Sequence, residues 1–211
     1  MLLINTKGVL DYEMEQVAIE LQHINVKLLV KDPEKVDMQG VVPVFHTWIQ
    51  GQIFDELLLD VADYSHVPDG PGIVLIGHEA DYALDNTDGQ LGVRYNRKAP
   101  APGSNRDRLV QATRAAVMAL QRLEPDCNLH FNNREIEIVI NDRLLAPNTN
   151  VSRQAAEPDL REFLDQLLAG AGYSLQYPTE RRKLFGVSVT TAREFSTEEL
   201  LANLNTPVDA A

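Results

Sequence analysis

The chain has 211 residues, 44% apolar and 24% charged, the composition of a soluble globular protein long enough for one large domain or two small ones. Its single cysteine, Cys127, excludes internal disulfides and multi-cysteine zinc sites, and no apolar run approaches the roughly 20 residues of a membrane span. The net charge of −12 argues against nucleic acid as a partner, because a phosphate backbone demands a basic face. The opening MLLINTKGVLDYEMEQ has no cationic start followed by an apolar core. No secretory leader is therefore expected, and the reading is of a cytoplasmic protein without a membrane partner.

In chain order, residues 1–5 read as a short strand and 12–23 as a helix, with Asp11 as N-cap and Met14, Val17, Ala18 and Leu21 on one face. The run VKLLVK at 26–31 predicts a strand, and VVPVFHTWI at 41–49 a second. Residues 54–63 place Phe54, Leu57, Leu58 and Val61 at helical spacing and predict a helix. After the Pro68–Gly72 loop, the runs 73–84 and 91–96 predict a long hairpin closed by the loop 85–89, with Gly77 a bulge or a close approach. The Ala-Pro-rich stretch RKAPAPGSN at 97–105 predicts a boundary between a lobe at 1–98 and a lobe at 103–211.

Beyond it, 106–123 predicts a helix burying Leu109, Ala112, Thr113, Ala116, Val117, Leu120 and Leu123. NLHF, Asn132-Asn133 and REIEIVI predict a hairpin with Ile136, Ile138 and Ile140 on one face. A helix is expected from Pro158 to the Gly170/Gly172 stop. Strands SLQY and LFGVSVT follow, and Ser196 with Glu199 forms a capping box opening a last helix. The fold class is α+β: two lobes of mixed or antiparallel sheet with flanking helices, the second reading αββαββα.

The stretch HVPDGPGIVLIGHEADYALD, 66–85, concentrates chemistry-bearing side chains. Its glycines precede a strand rather than a helix, so it is no phosphate loop. His78-Glu79 lacks the second histidine of HExxH, where Tyr82 stands, and 85–89 lacks the ligand spacing of a calcium loop. What remains is a constellation. His46, His66 and His78 would suit Zn²⁺, Fe²⁺ or Ni²⁺ if they converged with a carboxylate. With Asp69, Glu79, Asp81 and Tyr82 they form the candidate ligand or partner site.

Charge is unevenly spread. Residues 1–96 hold sixteen acids against five Lys/Arg, residues 97–211 fifteen against fourteen, and no Lys or Arg stands between Lys35 and Arg94. Such a field raises the local concentration of cations. The leading expectation is a non-catalytic binding or assembly module whose acidic N-terminal lobe engages a basic protein partner, a second copy or a cationic ligand. The rival expectation is a metal-dependent or acid–base hydrolase centred on the three histidines.

Overall fold

The computed structural model describes residues 19–205. The predicted strand 1–5 and residues 12–18 of the first predicted helix lie outside that range, and residues 19–23 are not helical. Strand β1 (Ile24–Val30) follows them. Every residue of β1 is buried, on both of its faces, as befits a strand that ends up at the centre of the sheet.

Two elements exchange their predicted types. The expected strand 41–49 is the helix α1 (Val41–Gly51), and the expected helix 54–63 is the strand β2 (Leu58–Tyr64). In α1 the β-branched residues are outweighed by Val41, Phe45 and Trp48, which recur at i, i+4 and i+7 and are all buried. Pro43 is tolerated because the amide it lacks belongs to the first turn, where no carbonyl awaits it. Phe45 and Trp48 meet at 5.2 Å between ring centroids. In β2 only Leu58 is fully buried, and the segment is held by pairing with its neighbour rather than by an apolar stripe. Pairing overrides the helical spacing.

The run 73–84 is two strands, not one. β3 (Gly72–Gly77) folds back through His78 and Glu79 into β4 (Ala80–Asp85), and β5 (Gly92–Arg97) pairs with β4 from Ala80↔Arg97 to Asp85↔Gly92. Gly77 is a site of close approach. A Cβ there would stand 2.3 Å from the Ala80 carbonyl oxygen. Gly77→Ala is therefore expected to cost about 1–3 kcal/mol by denaturant unfolding, the usual penalty of overpacking against backbone. A variant as stable as the parent would mean that the turn relaxes freely. The bulge itself lies across from Gly77, where the register slips between Leu58 and Asp60 and leaves Leu59 as the extra residue.

The helix α2 (Asn105–Cys127) extends the predicted 106–123 at both ends, and all seven residues of the predicted arc are buried. It opens on a capping box of Ser104 and Asp107. Arg108, which the spacing puts on the outer arc, is instead buried and donates to the carbonyls of Ala101 and Leu21. It pins the 97–105 segment against residues 19–22, assisted by Gln22, whose amide exchanges two hydrogen bonds with Ala101.

The predicted hairpin around Asn132-Asn133 is a single strand, β6 (Phe131–Ile140). Asn133 takes φ 70° and the Asn132 carboxamide oxygen accepts from the Arg134 amide, so the Asn-Asn pair makes a local turn inside the strand. Opposite it the register with β1 slips between Leu28↔Ile136 and Val30↔Phe131. The helix expected from Pro158 begins earlier, as α3 (Asn150–Leu167) with Pro158 in its interior. Its cap is Thr149, which accepts from the Ser152 amide, and its buried stripe starts at Ser152 and Ala156 and continues through Leu160, Phe163 and Leu164. β7 (Tyr173–Gln176), β8 (Phe185–Thr191) and α4 (Thr197–Leu204), with its Ser196/Glu199 capping box, follow as expected. The second half thus reads αβαββα, one strand fewer than the sequence suggests.

The eight strands of the described residues form one antiparallel sheet in the order β2-β3-β4-β5-β1-β6-β8-β7. The fold is α+β. The 97–105 segment joins β5 to α2, while the sheet runs on from one half to the other through the β1–β6 ladder. α2 lies over β1 and β5, α1 over β2 and β3, and α3 and α4 pack on α2. The helices therefore share one face and the core lies between them and the sheet. Among the described residues the opposite face carries the alternate strand residues and no helix. Among the described residues no helix is long and apolar enough to cross a membrane.

Candidate functional site

The seven residues singled out in the sequence disperse over three places. His46 sits on the exposed side of α1, between the buried Phe45 and Trp48 turns. His66 and Asp69 are exposed in the β2–β3 loop, Asp69 with a left-handed φ of 51°. His78 and Glu79 form the turn at the other end of β3. The six residues of β3, at about 3.3 Å each, keep His66 and His78 on the order of 20 Å apart. Among the described residues no group of three or more His, Cys, Asp or Glu is placed to hold a metal ion.

His78, Glu79 and Tyr82 do come together. They line a cleft of about 530 Å³ between residues 53–57, the β3–β4 turn and the flank of α2. The floor is aromatic. Tyr82, buried by its place on the helix-facing side of β4, stacks on Phe54 at 4.6 Å, and Tyr95 meets Tyr82 edge-on at 5.3 Å. Burial, then the neighbouring Tyr95 and Glu56, push the Tyr82 phenol above its ordinary range, so it stays protonated. The rim is charged and largely self-paired. Glu79 reaches Arg97 at 2.8 Å, and Glu56 accepts from the Glu79 amide at 2.6 Å. Asp81, one residue before Tyr82 and so on the opposite face, pairs with Lys98 at 2.6 Å and accepts from the Gly77 amide.

Beyond the cleft, the flank of the sheet is acidic and partly apolar. β2 is an edge strand, and Leu57, Leu59 and Tyr64 are 55%, 50% and 43% exposed. Asp55, Glu56, Asp60 and Asp63 lie in the same segment. The Ser65 hydroxyl and amide, then Gln39, donate to the Asp63 carboxylate and lower its pKa to about 2, so it is ionised throughout the neutral range.

A second cavity, of about 420 Å³, opens on the helix-free face over β1, β5, β6 and β8. Sequence reasoning passed over it, although the signal was present. Polar residues recur at period two in three strands: Asn25 and Lys27 in β1, Arg94 and Asn96 in β5, Glu135 and Glu137 in β6. The registers put Arg94, Lys27, Glu137, Ser188 and Gln176 in one row across five strands. Lys27 is 4% exposed and Asp85 1%, and their charges meet at 2.7 Å. Arg94 adds a contact to Asp85 at 3.3 Å, and Thr87 donates both its amide and its hydroxyl. Burial opposes ionisation of Asp85, but Lys27, Arg94 and these hydrogen bonds outweigh it and hold the carboxyl below its usual range. Glu137 is pushed the other way, chiefly by burial, against the opposing pull of Lys27. Gly92 makes room for this network, since a Cβ there would come within 2.9 Å of Lys27 Cγ. At the rim Lys183 bridges to Asp88 at 3.1 Å, tying the β7–β8 loop to the β4–β5 loop.

Compared with known protein families and with curated proteins, the chain matches no family and no individual relative.

Proposed function

We propose that the protein is a binding module that takes an extended, basic segment of a partner protein along the edge of β2. The observation that supports this is the coincidence of half-exposed Leu59 and Tyr64 with Asp60 and Asp63 on one edge strand, preceded by Asp55, Glu56 and exposed Leu57, in a stretch holding no Lys or Arg from residue 36 to 93. An edge strand offers unpaired backbone groups on one side, which is the requirement for strand addition. Here the Gln52 side chain already holds both backbone groups of Leu58, so the open part of the edge lies beyond it. The acids decide what is admitted. Like charge repels a second β2 edge, the common protection against edge-to-edge association, and the same charge draws in alternating lysine and aliphatic side chains. The Leu59 bulge limits the length of any ladder to either side of it. The segment 53–57, which leads into this edge, also lines the cleft of Glu79 and Tyr82.

Fluorescence anisotropy with a labelled peptide of alternating lysine and valine tests the reading. Binding is expected to weaken steeply as salt rises. The double charge reversal D60K/D63K is expected to reduce affinity by about tenfold or more, since each exposed pair contributes up to about 1 kcal/mol. If a peptide with glutamate in place of lysine binds as well, the proposal fails. If instead the protein self-associates with an affinity that D60K/D63K abolishes, the occupant is a second copy and the partner proposed here is overturned.

A further inference from the structure

The helix-free face holds a feature that strand addition at β2 leaves unexplained. We propose that the open-face cavity binds an uncharged small molecule presenting a hydrogen-bond donor and acceptor side by side, the edge chemistry of a nucleobase or carboxamide, and that Asn25 reads it.

Asn25 is 2% exposed and lines the cavity, yet among the described residues neither its carboxamide oxygen nor its nitrogen has a hydrogen-bond partner. A buried polar group left without a partner is costly to a folded protein, and native interiors hold few of them. Its neighbour across the β1–β5 ladder is Asn96, whose side-chain oxygen is also without a partner. The same face of β1 carries the buried aliphatic Leu29, so burial there does not of itself call for an amide.

The charges in the cavity define the class of guest. Lys27 and Arg94 are both committed to Asp85, and Asp85 has its oxygens filled by them and by Thr87. A phosphate would find both cations already paired, and an ammonium would find Asp85 filled and, in the cavity wall, the half-buried Glu137, whose neutral form burial favours. A neutral guest disturbs neither. An asparagine carboxamide pairs in bidentate fashion with a donor–acceptor edge, as it does with adenine in nucleic-acid readout. Tyr177 and Pro178 form part of the cavity wall. The volume of about 420 Å³ falls within the common range for small-molecule sites.

Adenosine and nicotinamide are suitable probes, followed by NMR of the asparagine side-chain amide signals in the intact chain. At least one probe is expected to shift the Asn25 NH₂ pair saturably, and Asn25→Leu to weaken its binding by about tenfold or more, as loss of a paired polar contact would. A second measurement does not need the ligand. Because Asn25→Leu removes an unsatisfied amide, the variant without probe should unfold at a higher denaturant concentration than the parent. The proposal is overturned if neither probe moves the Asn25 signals, leaving a bridging water only. It is equally overturned if Asn25→Leu lowers stability, which would make the amide structural.

Discussion

Asp85→Ala is expected to destabilise the protein by about 3–5 kcal/mol at neutral pH, because it strands a buried lysine. Lys27 is 4% exposed and its ammonium has only Asp85 and, more distantly, the Thr87 carbonyl to answer it. Urea denaturation of the variant checks the figure. The double variant D85A/K27M should recover most of the loss, since removing both charges leaves nothing unpaired. The same pair sets an acid limit. A carboxyl whose folded pKa lies below its unfolded value stabilises the fold above the unfolded value of about 3.9, and the contribution is lost as pH falls below that through the folded value. Glu137 acts in the opposite sense. Its raised folded pKa favours the fold at low pH, a gain that disappears as pH climbs from about 4.3 through the folded value. Asp85→Asn should therefore flatten the acid limb of the stability curve below about pH 4. An unchanged acid limb would mean that Asp85 is not the group responsible.

Leu120→Ala is expected to cost about 2–5 kcal/mol, the range for truncating a leucine in a closed core. Leu120 is 0% exposed on α2, the helix laid over β1 and β5, and no water can refill the space. Arg122, two residues on and exposed, is a control. It sits 5.5 Å over the Phe54 ring, and Arg122→Ala should cost no more than about 1 kcal/mol. Thermal or chemical unfolding of the two variants separates them. A loss under about 1 kcal/mol at Leu120 would show that α2 packs through another face.

The elements legible in the sequence were those where spacing, caps and burial agree. α2 was readable from its apolar arc and α4 from the Ser196/Glu199 capping box, and β8 because LFGVSVT has no competing helical pattern. The exchange of types at 41–51 and 58–64 shows where local signals mislead. Valine and aromatic side chains prefer strands weakly, but what fixed α1 is the burial of Val41, Phe45 and Trp48 on one helical stripe, a property of the neighbours rather than of the segment. β2 is its mirror case, an acid-rich edge that exists only because β3 offers hydrogen bonds. The cluster at 66–85 was half legible. His78, Glu79 and Tyr82 share a cleft because a two-residue turn puts them there, while β3 carries His66 to the far end. The open-face row was legible only as an alternation, since Asn25, Arg94 and Glu137 become neighbours through registers joining residues about 65 to 115 positions apart.

The place of β1 in the sheet has a consequence for how the chain acquires its fold. β1 is the earliest strand among the described residues, yet it ends between β5 and β6, with Ile24 opposite Ile140. While the chain is being synthesised, one side of this apolar strand finds β5 after some seventy residues, but the other must wait until β6 has emerged. Until then β1 is a bare edge of an unfinished sheet, the kind of surface that chaperones cover and aggregates recruit. Long-range closure of this sort also gives a high contact order, so refolding is expected on the slow side for a domain of this size. The two halves of the chain cannot mature independently, because the strand that the first half contributes is completed by the second.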